Sequence, residues 1–166
     1  KKAAVIGLGD ISKIHIPIIE SSPDMVLCAV CDSNPETKEA APSGTVFYTD
    51  YHEMVEKERP DCVHVCLPHY LHYPVTKELV EMGCNVFCEK PVALNTEEAE
   101  RFVRLEEAHP EVRITICLQN RLNESVELLK KLIEGGEYGQ VVGTRGIVPW
   151  YRPAEYYRVK PWRGSW

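Results

Sequence analysis

The chain has 166 residues, of which 44% are hydrophobic and 27% are charged, which supports one complete folded domain and part of a second. Its net charge of −6 argues against a nucleic acid as the main partner. No apolar run approaches the roughly 20 residues that a membrane-spanning helix requires, so no membrane partner is expected.

The first predicted strand, residues 3–7, runs directly into a glycine-rich turn. Gly7 permits a tight turn, and Gly9 has no side chain to keep a phosphate group away from the backbone. The helix predicted over 11–21 presents uncapped N–H groups and the positive end of its dipole at the same place. Ser12 replaces the third glycine of the strict motif. The turn predicts a pyrophosphate site at Gly7, Gly9, Asp10, Ile11 and Ser12, with the Asp10 carboxylate turned away; an ordinary glycine-rich turn is the alternative.

Asp32 ends the second apolar run, twenty residues after Ser12. An acidic residue at this spacing accepts hydrogen bonds from the adenosine ribose of a dinucleotide. Its charge would repel a 2′-phosphate, and Ser33 and Asn34, which follow it, provide no arginine to bind one. The pattern therefore predicts nucleotide binding that includes Asp32 and Ser33, with NAD favoured over NADP.

Strand and helix signals alternate along residues 1–118, which is typical of an α/β fold. The apolar runs are nearly unbroken, as expected for strands that are buried on both faces. Strands are predicted over 3–7, 26–31, 45–48, 62–67, 85–88 and 113–118, and helices near 11–21, 35–41, 51–58, 73–82 and 96–108. The predicted fold class is a Rossmann-type, doubly wound parallel sheet.

Seven cysteines lie in or at the ends of these apolar runs. Cys28 and Cys31 have the spacing of a metal-binding pair, but strand residues three apart point to opposite faces, and no second ligand pair accompanies them. We expect no metal site. The cysteines are interpreted as buried, reduced thiols of a cytoplasmic protein.

The character of the sequence changes after Leu118. Residues 123–134 predict an amphipathic helix, and 140–151 predict one long strand. Aromatic and arginine residues alternate towards Trp166, a mixture that could stack nucleic-acid bases, although the acidic chain makes this the weaker interpretation. One strand cannot form a stable sheet alone. The chain is therefore divided into a dinucleotide-binding domain, 1–118, and the incomplete beginning of an α+β second domain, 119–166.

Two further segments narrow the interpretation. Cys66-Leu67-Pro68-His69-Tyr70-Leu71-His72 follows the fourth predicted strand, and Glu89-Lys90-Pro91 follows the fifth. Open α/β sheets bind ligands at these strand ends. Together with the glycine turn, the segments resemble the Gfo/Idh/MocA family of glucose–fructose oxidoreductases and inositol dehydrogenases. Glu89-Lys90-Pro91 is the most specific element, and Trp162-Arg163-Gly164 resembles the family's tail.

The resemblance implies a Rossmann domain paired with an open antiparallel sheet, NAD or NADP as cofactor, and oxidation of a hydroxyl carbon in a sugar, cyclitol or related polyol. Lys90 is the implied catalytic residue: its ammonium would hydrogen-bond the substrate hydroxyl and favour the developing alkoxide. Pro91 is expected to follow a cis peptide bond. The other residues implied to lie at the cofactor are Leu67, Pro68, His69, His72, Glu89, Gln119, Trp162 and Arg163.

Some positions leave alternatives open. His69 replaces the asparagine of the family's turn, and His72 could instead cap the helix that follows it. The four remaining histidines are interpreted as structural: His15, His52, His64 and His109.

The family's general base is a histidine in the second domain, and no segment of this chain matches it. We therefore expect an N-terminal portion of a longer dehydrogenase that is a homo-oligomer at full length and inactive as this fragment. Two alternatives remain: a non-catalytic NAD-binding or redox-sensing module, and a reductase of imine or tetrapyrrole substrates on the same scaffold.

Overall fold

The computed structural model describes residues 1–164. The chain divides into two compact units, Lys1–Leu118 and Gln119–Trp166. Each unit is described by itself.

The first unit is built on one sheet of six parallel strands in the order β3–β2–β1–β4–β5–β6. The chain order reverses between β1 and β4, as in a doubly wound sheet. The strands are β1, Lys2–Ile6; β2, Val26–Cys31; β3, Val46–Tyr48; β4, Cys62–Val65; β5, Asn85–Glu89; and β6, Ile114–Cys117. The predicted Rossmann-type fold is confirmed.

Both faces of the sheet are covered by packed side chains. Alternate residues of β1 point to opposite faces, so Ala4 and Ile6 join one buried cluster while Ala3 and Val5 join another. These four side chains are at most 3% exposed. Burial on both sides explains why the strands contain unbroken apolar runs rather than alternating ones.

Four helices of the first unit pack on the sheet: α1, Ser12–Ser21; α2, Tyr51–Glu58; α3, His72–Glu81; and α4, Thr96–Ala108. Side chains cap two of them, because Asp50 accepts a hydrogen bond from the His52 N–H and Asn95 accepts one from the Glu98 N–H. The helix predicted over 35–41 is a 3₁₀ segment, Pro35–Ala40. None of the helices within residues 1–164 combines the length and the apolar character that spanning a membrane demands.

Three strands, β1, β4 and β6, end earlier than predicted, and β6 does so by one residue, at Cys117. The earlier ends of β1 and β4 have local causes. The strand predicted over 3–7 ends at Ile6 because Gly7 adopts a φ of +93°, outside the extended region. The strand predicted over 62–67 ends at Val65. The Cys66 N–H still donates to the Ile6 carbonyl at 2.8 Å, and the chain then leaves the sheet towards Pro68.

The second unit contains helix α5, Glu124–Glu134, and a short helix α6, Ala154–Val159. Between them, residues 139–153 form no regular structure, so the strand predicted over 140–151 is wrong. The β-branched and aromatic residues of this segment favour a strand, but a strand forms only where a neighbouring strand satisfies its backbone groups. No strand occurs in the part of this unit that the structure describes.

Candidate functional site

The register of the parallel strands brings the ends of five strands to one edge of the sheet. Ile6 pairs with both Cys31 and Val65, and Glu89 pairs with Cys117. The segments that follow these strands therefore meet at this carboxyl edge. They contain the predicted site residues of the first unit: Gly7, Gly9, Asp10, Ile11, Ser12, Asp32, Ser33, Leu67, Pro68, His69, His72 and Lys90.

Gly7 makes the turn at the end of β1, and glycine is required there for two reasons. Its φ of +93° is strained for any residue with a side chain. A Cβ atom at this position would also lie 2.5 Å from the carbonyl oxygen of Cys66, closer than any real contact. The Gly7 N–H donates to the Cys31 carbonyl at 2.8 Å, which ties the turn to β2.

The chain around Gly9 leaves room and donors for a ligand. A Cβ atom at Gly9 would have nothing within 4 Å. Helix α1 begins at Ser12 with Ile11 before it, and no side chain caps its N-terminal N–H groups. Ser12 is buried and its hydroxyl donates to the Gly9 carbonyl at 2.7 Å. Asp10 is exposed, 3.8 Å from the Lys13 ammonium. This arrangement fits a phosphate group, because helix N-termini attract anions.

The Asp32 carboxylate lies next to the glycine turn and is held by two backbone donors. Its Oδ2 accepts a hydrogen bond from the Leu8 N–H at 2.8 Å, and its Oδ1 accepts one from the Asn34 N–H at 2.9 Å. Carboxylate oxygens have spare lone pairs, so both can still accept a hydrogen bond from a ligand hydroxyl. Ser33, which follows, is exposed.

His72 joins two loops of the carboxyl edge. Its side chain is fully buried, with Nδ1 2.8 Å from the carbonyl oxygen of Pro91 and Nε2 2.9 Å from that of Leu67. The residue before α3 is Leu71, and His72 is the helix's first residue, so the interpretation of His72 as its cap is wrong. His72 connects the loop after β4 to the turn after β5. The Lys90–Pro91 peptide bond in that turn is cis, as predicted.

Lys90 is the first residue after β5, and its side chain is exposed at the carboxyl edge. Its charge acts on His69, in the loop after β4. Burial, together with the charges of His72 and Lys90, lowers the pKa of His69. His69 is therefore the neutral, partly buried neighbour of a cationic lysine at the edge.

A buried polar cluster lies behind Lys90, and sequence reasoning missed it. His15 Nε2 lies 2.9 Å from Glu89 Oε1, and His15 Nδ1 lies 3.0 Å from His64 Nδ1. The sulfur of Cys117 lies within 4.8 Å of the Glu89 and His15 atoms of this cluster. The interpretation of His15 and His64 as structural histidines did not predict their contacts with each other and with Glu89. One signal was available, because His64 interrupts an otherwise apolar strand.

The predicted site residues of the second unit lie in two short 3₁₀ segments. Gln119 begins the 3₁₀ segment Gln119–Leu122, and Trp162 and Arg163 lie in another, Pro161–Arg163. The Arg163 guanidinium lies 4.0 Å from the centre of the Tyr156 ring, and Arg152 lies 4.7 Å from the same ring. Arginine and aromatic rings attract each other in such stacks.

Comparison with known proteins gives one family match and consistent relatives. The sequence model described as "Oxidoreductase family, NAD-binding Rossmann fold" matches residues 1–117. The D-glucoside 3-dehydrogenase of Escherichia coli (strain K12) is 29% identical over 147 residues, 86% of this chain and 42% of that protein. The myo-inositol 2-dehydrogenase of Thermotoga maritima is 29% identical over 164 residues, 95% of this chain and 48% of that protein.

Among solved structures, the WlbA dehydrogenase from Bordetella pertussis, in complex with NADH and UDP-GlcNAcA, superposes with a TM-score of 0.87 and 32% identity. The match covers 98% of this chain and 51% of that one. The chain thus spans less than half the length of the curated relatives that it matches.

Proposed function

The chain belongs to the Gfo/Idh/MocA family, oxidoreductases with an NAD-binding Rossmann fold, and from that membership we propose that the protein oxidises a hydroxyl carbon of a sugar, cyclitol or related polyol. NAD, when bound, supplies the acceptor for the hydride that leaves this carbon. The observation that carries the proposal is that the glycine turn, Asp32 and Lys90 all follow strand ends at one edge of the sheet.

The residues of the glycine turn fit a dinucleotide. Gly9 leaves open space where a side chain would otherwise stand, and the uncapped start of α1 offers N–H groups to a pyrophosphate. Asp32 accepts from a ribose hydroxyl and repels a 2′-phosphate, which supports NAD over NADP. Trp162, Arg163 and Gln119 of the second unit remain proposed contacts of this cofactor.

Lys90 is the proposed catalytic residue. Its ammonium, exposed at the edge, donates a hydrogen bond to the substrate hydroxyl and stabilises the negative charge that develops on its oxygen. Glu89 and His72 hold the main chain on either side of it, because Glu89 Oε2 accepts from the Lys90 N–H at 3.2 Å and His72 contacts Pro91. We assign removal of the hydroxyl proton to a residue outside this chain, in a substrate domain that residues 119–166 begin and that also forms homo-oligomers.

The charge of the second unit supports an anionic group on the substrate. Residues 119–166 contain eight lysines and arginines against five acidic residues, whereas residues 1–118 contain eleven against twenty. A guanidinium binds a carboxylate or a phosphate more strongly than a neutral hydroxyl, because both partners are then charged. UDP-GlcNAcA, bound in the WlbA structure, is a nucleotide-linked sugar of this anionic kind.

The test is NAD⁺ reduction by the full-length protein against three panels: neutral sugars and cyclitols, anionic and nucleotide-linked sugars, and imines assayed with NADH. We expect turnover with one or both sugar panels, and a loss of at least about 100-fold in kcat for Lys90→Met. Lys77→Met is the matched control, since Lys77 is an exposed lysine paired with Glu81 on α3. NAD binding without turnover of any panel would favour the sensing module, and turnover of imines alone would favour the reductase.

Cofactor choice is tested separately with Asp32→Asn, which keeps the size of the side chain and removes its charge. The wild-type protein should bind NAD⁺ at least about tenfold more tightly than NADP⁺, and the variant should lose most of that preference. Calorimetric titration with both nucleotides measures the ratio. Equal affinities in the wild-type protein would refute the preference for NAD.

A further inference from the structure

We propose that His15 is a positioning residue for the proposed active site: with Cys117 it holds Glu89 as a carboxylate, and through Glu89 it fixes the main chain at Lys90. The proposal rests on the proposed function of Lys90. The residues concerned are His15 on α1 and Cys117 on β6, which lie outside both the glycine turn and the turn after β5.

The contacts of Glu89 connect three elements, α1, β5 and β6, with the turn after β5. Its Oε1 lies 2.9 Å from His15 Nε2, 74 residues away along the chain, and both side chains are at most 8% exposed. Its Oε2 accepts from the backbone N–H of Lys90 at 3.2 Å. The sulfur of Cys117, on the neighbouring strand, lies within 4.8 Å of this carboxylate and helps to lower its pKa. All the donors converge on one buried group.

The direction of each hydrogen bond follows from the chemistry of the partners. The Lys90 backbone N–H can only donate, so Glu89 accepts from it. The pKa of Glu89 lies below its ordinary value, so its carboxyl group is ionised at neutral pH. His15 Nε2 then donates as well, and in the neutral ring its Nδ1 is left as an acceptor. His64 Nδ1, 3.0 Å away, donates to that nitrogen and fixes the tautomer of His15.

The pKa shifts of Glu89 and of the titratable groups around it are consistent with an ionised Glu89. Burial opposes the charge of Glu89, but the hydrogen bonds from His15 and Cys117 bring its pKa below the ordinary value. Burial, and to a lesser extent the charge of His15, lowers the pKa of His64 to about 4. Cys66, which follows β4, and Cys88, on β5, have raised pKa values because of burial, and they remain protonated at neutral pH. Lys90 is the remaining charged neighbour, on the exposed side.

The same atoms could be considered as a metal site, since the ligand atoms of His15, Glu89 and Cys117 all lie within 4.8 Å of one another. Hydrogen bonds already satisfy the two buried polar side chains, however. His15 Nε2 lies at hydrogen-bond distance from Glu89 Oε1, and Glu89 Oε2 accepts from the Lys90 N–H, so neither side chain requires an ion.

The consequence is that the position of the Lys90 main chain depends on His15, which is proposed to contact neither substrate nor cofactor. Without the His15 donor, fewer hydrogen bonds oppose the effect of burial, so the pKa of Glu89 should rise. Glu89 would take up a proton in the acidic range, and its protonated form accepts the Lys90 N–H more weakly. The acidic limb of the activity profile should therefore move to higher pH.

The experiment uses the full-length protein with ¹³C-labelled glutamate. Carboxyl NMR titration follows Glu89, whose signal is assigned by its loss in Glu89→Gln, and the pH profile of kcat/KM is measured in parallel. His15→Phe keeps a ring and removes the donor. His15→Gln keeps an N–H donor at the position of Nε2. His109→Gln is the matched control, because His109 pairs with Glu111 on the surface.

We expect His15→Phe to raise the titration midpoint of Glu89, and the acidic limb with it, by about 1 pH unit or more. His15→Gln should restore most of the wild-type profile, and His109→Gln should match the wild type. If His15→Phe does not fold, Cys117→Ala should raise the midpoint while Cys117→Ser, which keeps a donor, should not.

An unchanged Glu89 midpoint in His15→Phe, or in Cys117→Ala where that is the variant that folds, would overturn the proposal. So would a raised midpoint that leaves the acidic limb in place. The NMR titration requires no turnover, so it separates this failure from failure of the proposed function, which Lys90→Met reports.

Discussion

The two units of the chain differ in what holds their functional residues in place. In the first unit the contacts join distant parts of the sequence: Asp32 accepts from Leu8, 24 residues away, and Glu89 pairs with His15. In the second unit Arg163 contacts residues that are close in the sequence: it donates to the carbonyl of Tyr156, seven residues away, and lies over the rings of Tyr156 and Trp162. A site built from long-range contacts is fixed only when its fold is complete, whereas the local contacts require no sheet at all.

The two units also differ in how far their apolar side chains are buried. The first unit has two clusters of side chains that are buried on opposite faces of its sheet. In the described part of the second unit no side chain is buried, and the apolar residues of α5 are 39–57% exposed: Val126, Leu128, Leu129, Leu132 and Ile133. The free energy that stabilises this chain therefore comes from residues 1–118.

The largest expected difference between the units is in hydrogen exchange. Backbone amides of β1 and β4 should exchange only through global unfolding, which costs about 5–15 kcal/mol for a domain. Amides of residues 139–153 form no regular structure and should exchange close to the unprotected rate. Exchange of the 166-residue chain, read by mass spectrometry of peptides, measures both. Equal protection of the two segments would contradict the comparison.

Glycine substitution should also separate the units. Gly7→Ala combines a strained backbone with a Cβ that would overlap the Cys66 carbonyl, so we expect a loss of about 4 kcal/mol in the free energy of unfolding. Gly139→Ala has a similar φ of +80° but open space around it, and should cost about 1 kcal/mol. Urea denaturation of both variants gives the values. Similar costs would show that the Gly7 turn can relax away from Cys66.

Leucine truncation offers a third contrast. Leu79 of α3 is fully buried, and Leu79→Ala should lower the free energy of unfolding by about 3 kcal/mol. Leu128 of α5 is 57% exposed, and Leu128→Ala should cost less than about 0.5 kcal/mol. The same denaturation experiment measures both variants. A large cost at Leu128 would mean that α5 packs against an apolar surface.

The elements that could be predicted from the sequence are those specified by local patterns. Unbroken apolar runs located all six strands of the sheet, and the helix predicted near 96–108 is α4, Thr96–Ala108. The strand over 140–151 was predicted wrongly because β-branched and aromatic residues show that a segment could pair, not that a partner strand exists. The 3₁₀ segment Pro35–Ala40 has a polar sequence with no apolar face for the sheet, and none of its residues is buried.

The site residues also differ in whether a local sequence pattern predicts them. The glycine turn and Asp32 were predictable because their spacing is local and their chemistry is fixed by backbone geometry. The cluster of His15, His64, Glu89 and Cys117 was not, because its members come from four elements that only the folded sheet brings together. A histidine in an apolar strand indicates a buried partner, but the sequence does not say which residue it is.

The two units also differ in their sensitivity to acid. All six histidines lie within residues 1–118, so the second unit has none to protonate near pH 6. Burial, with a smaller contribution from the charge of His15, lowers the pKa of His64 from 6.5 to about 4. Between these values the unfolded chain binds a proton that the folded chain does not, so the stabilisation is complete above pH 6.5 and is lost as the pH falls towards 4.

His64 should therefore account for a loss of at most about 3 kcal/mol in the free energy of unfolding across that interval. His64→Gln cannot titrate, so its free energy of unfolding should fall less steeply between pH 6.5 and 4 than that of the wild-type chain. His109→Gln, which alters an exposed histidine, should keep the wild-type slope. Chemical denaturation at half-unit pH steps measures all three slopes. Parallel curves for the wild type and His64→Gln would mean that His64 is protonated in the folded state as readily as in the unfolded one, and that the cluster behind Lys90 is open to water.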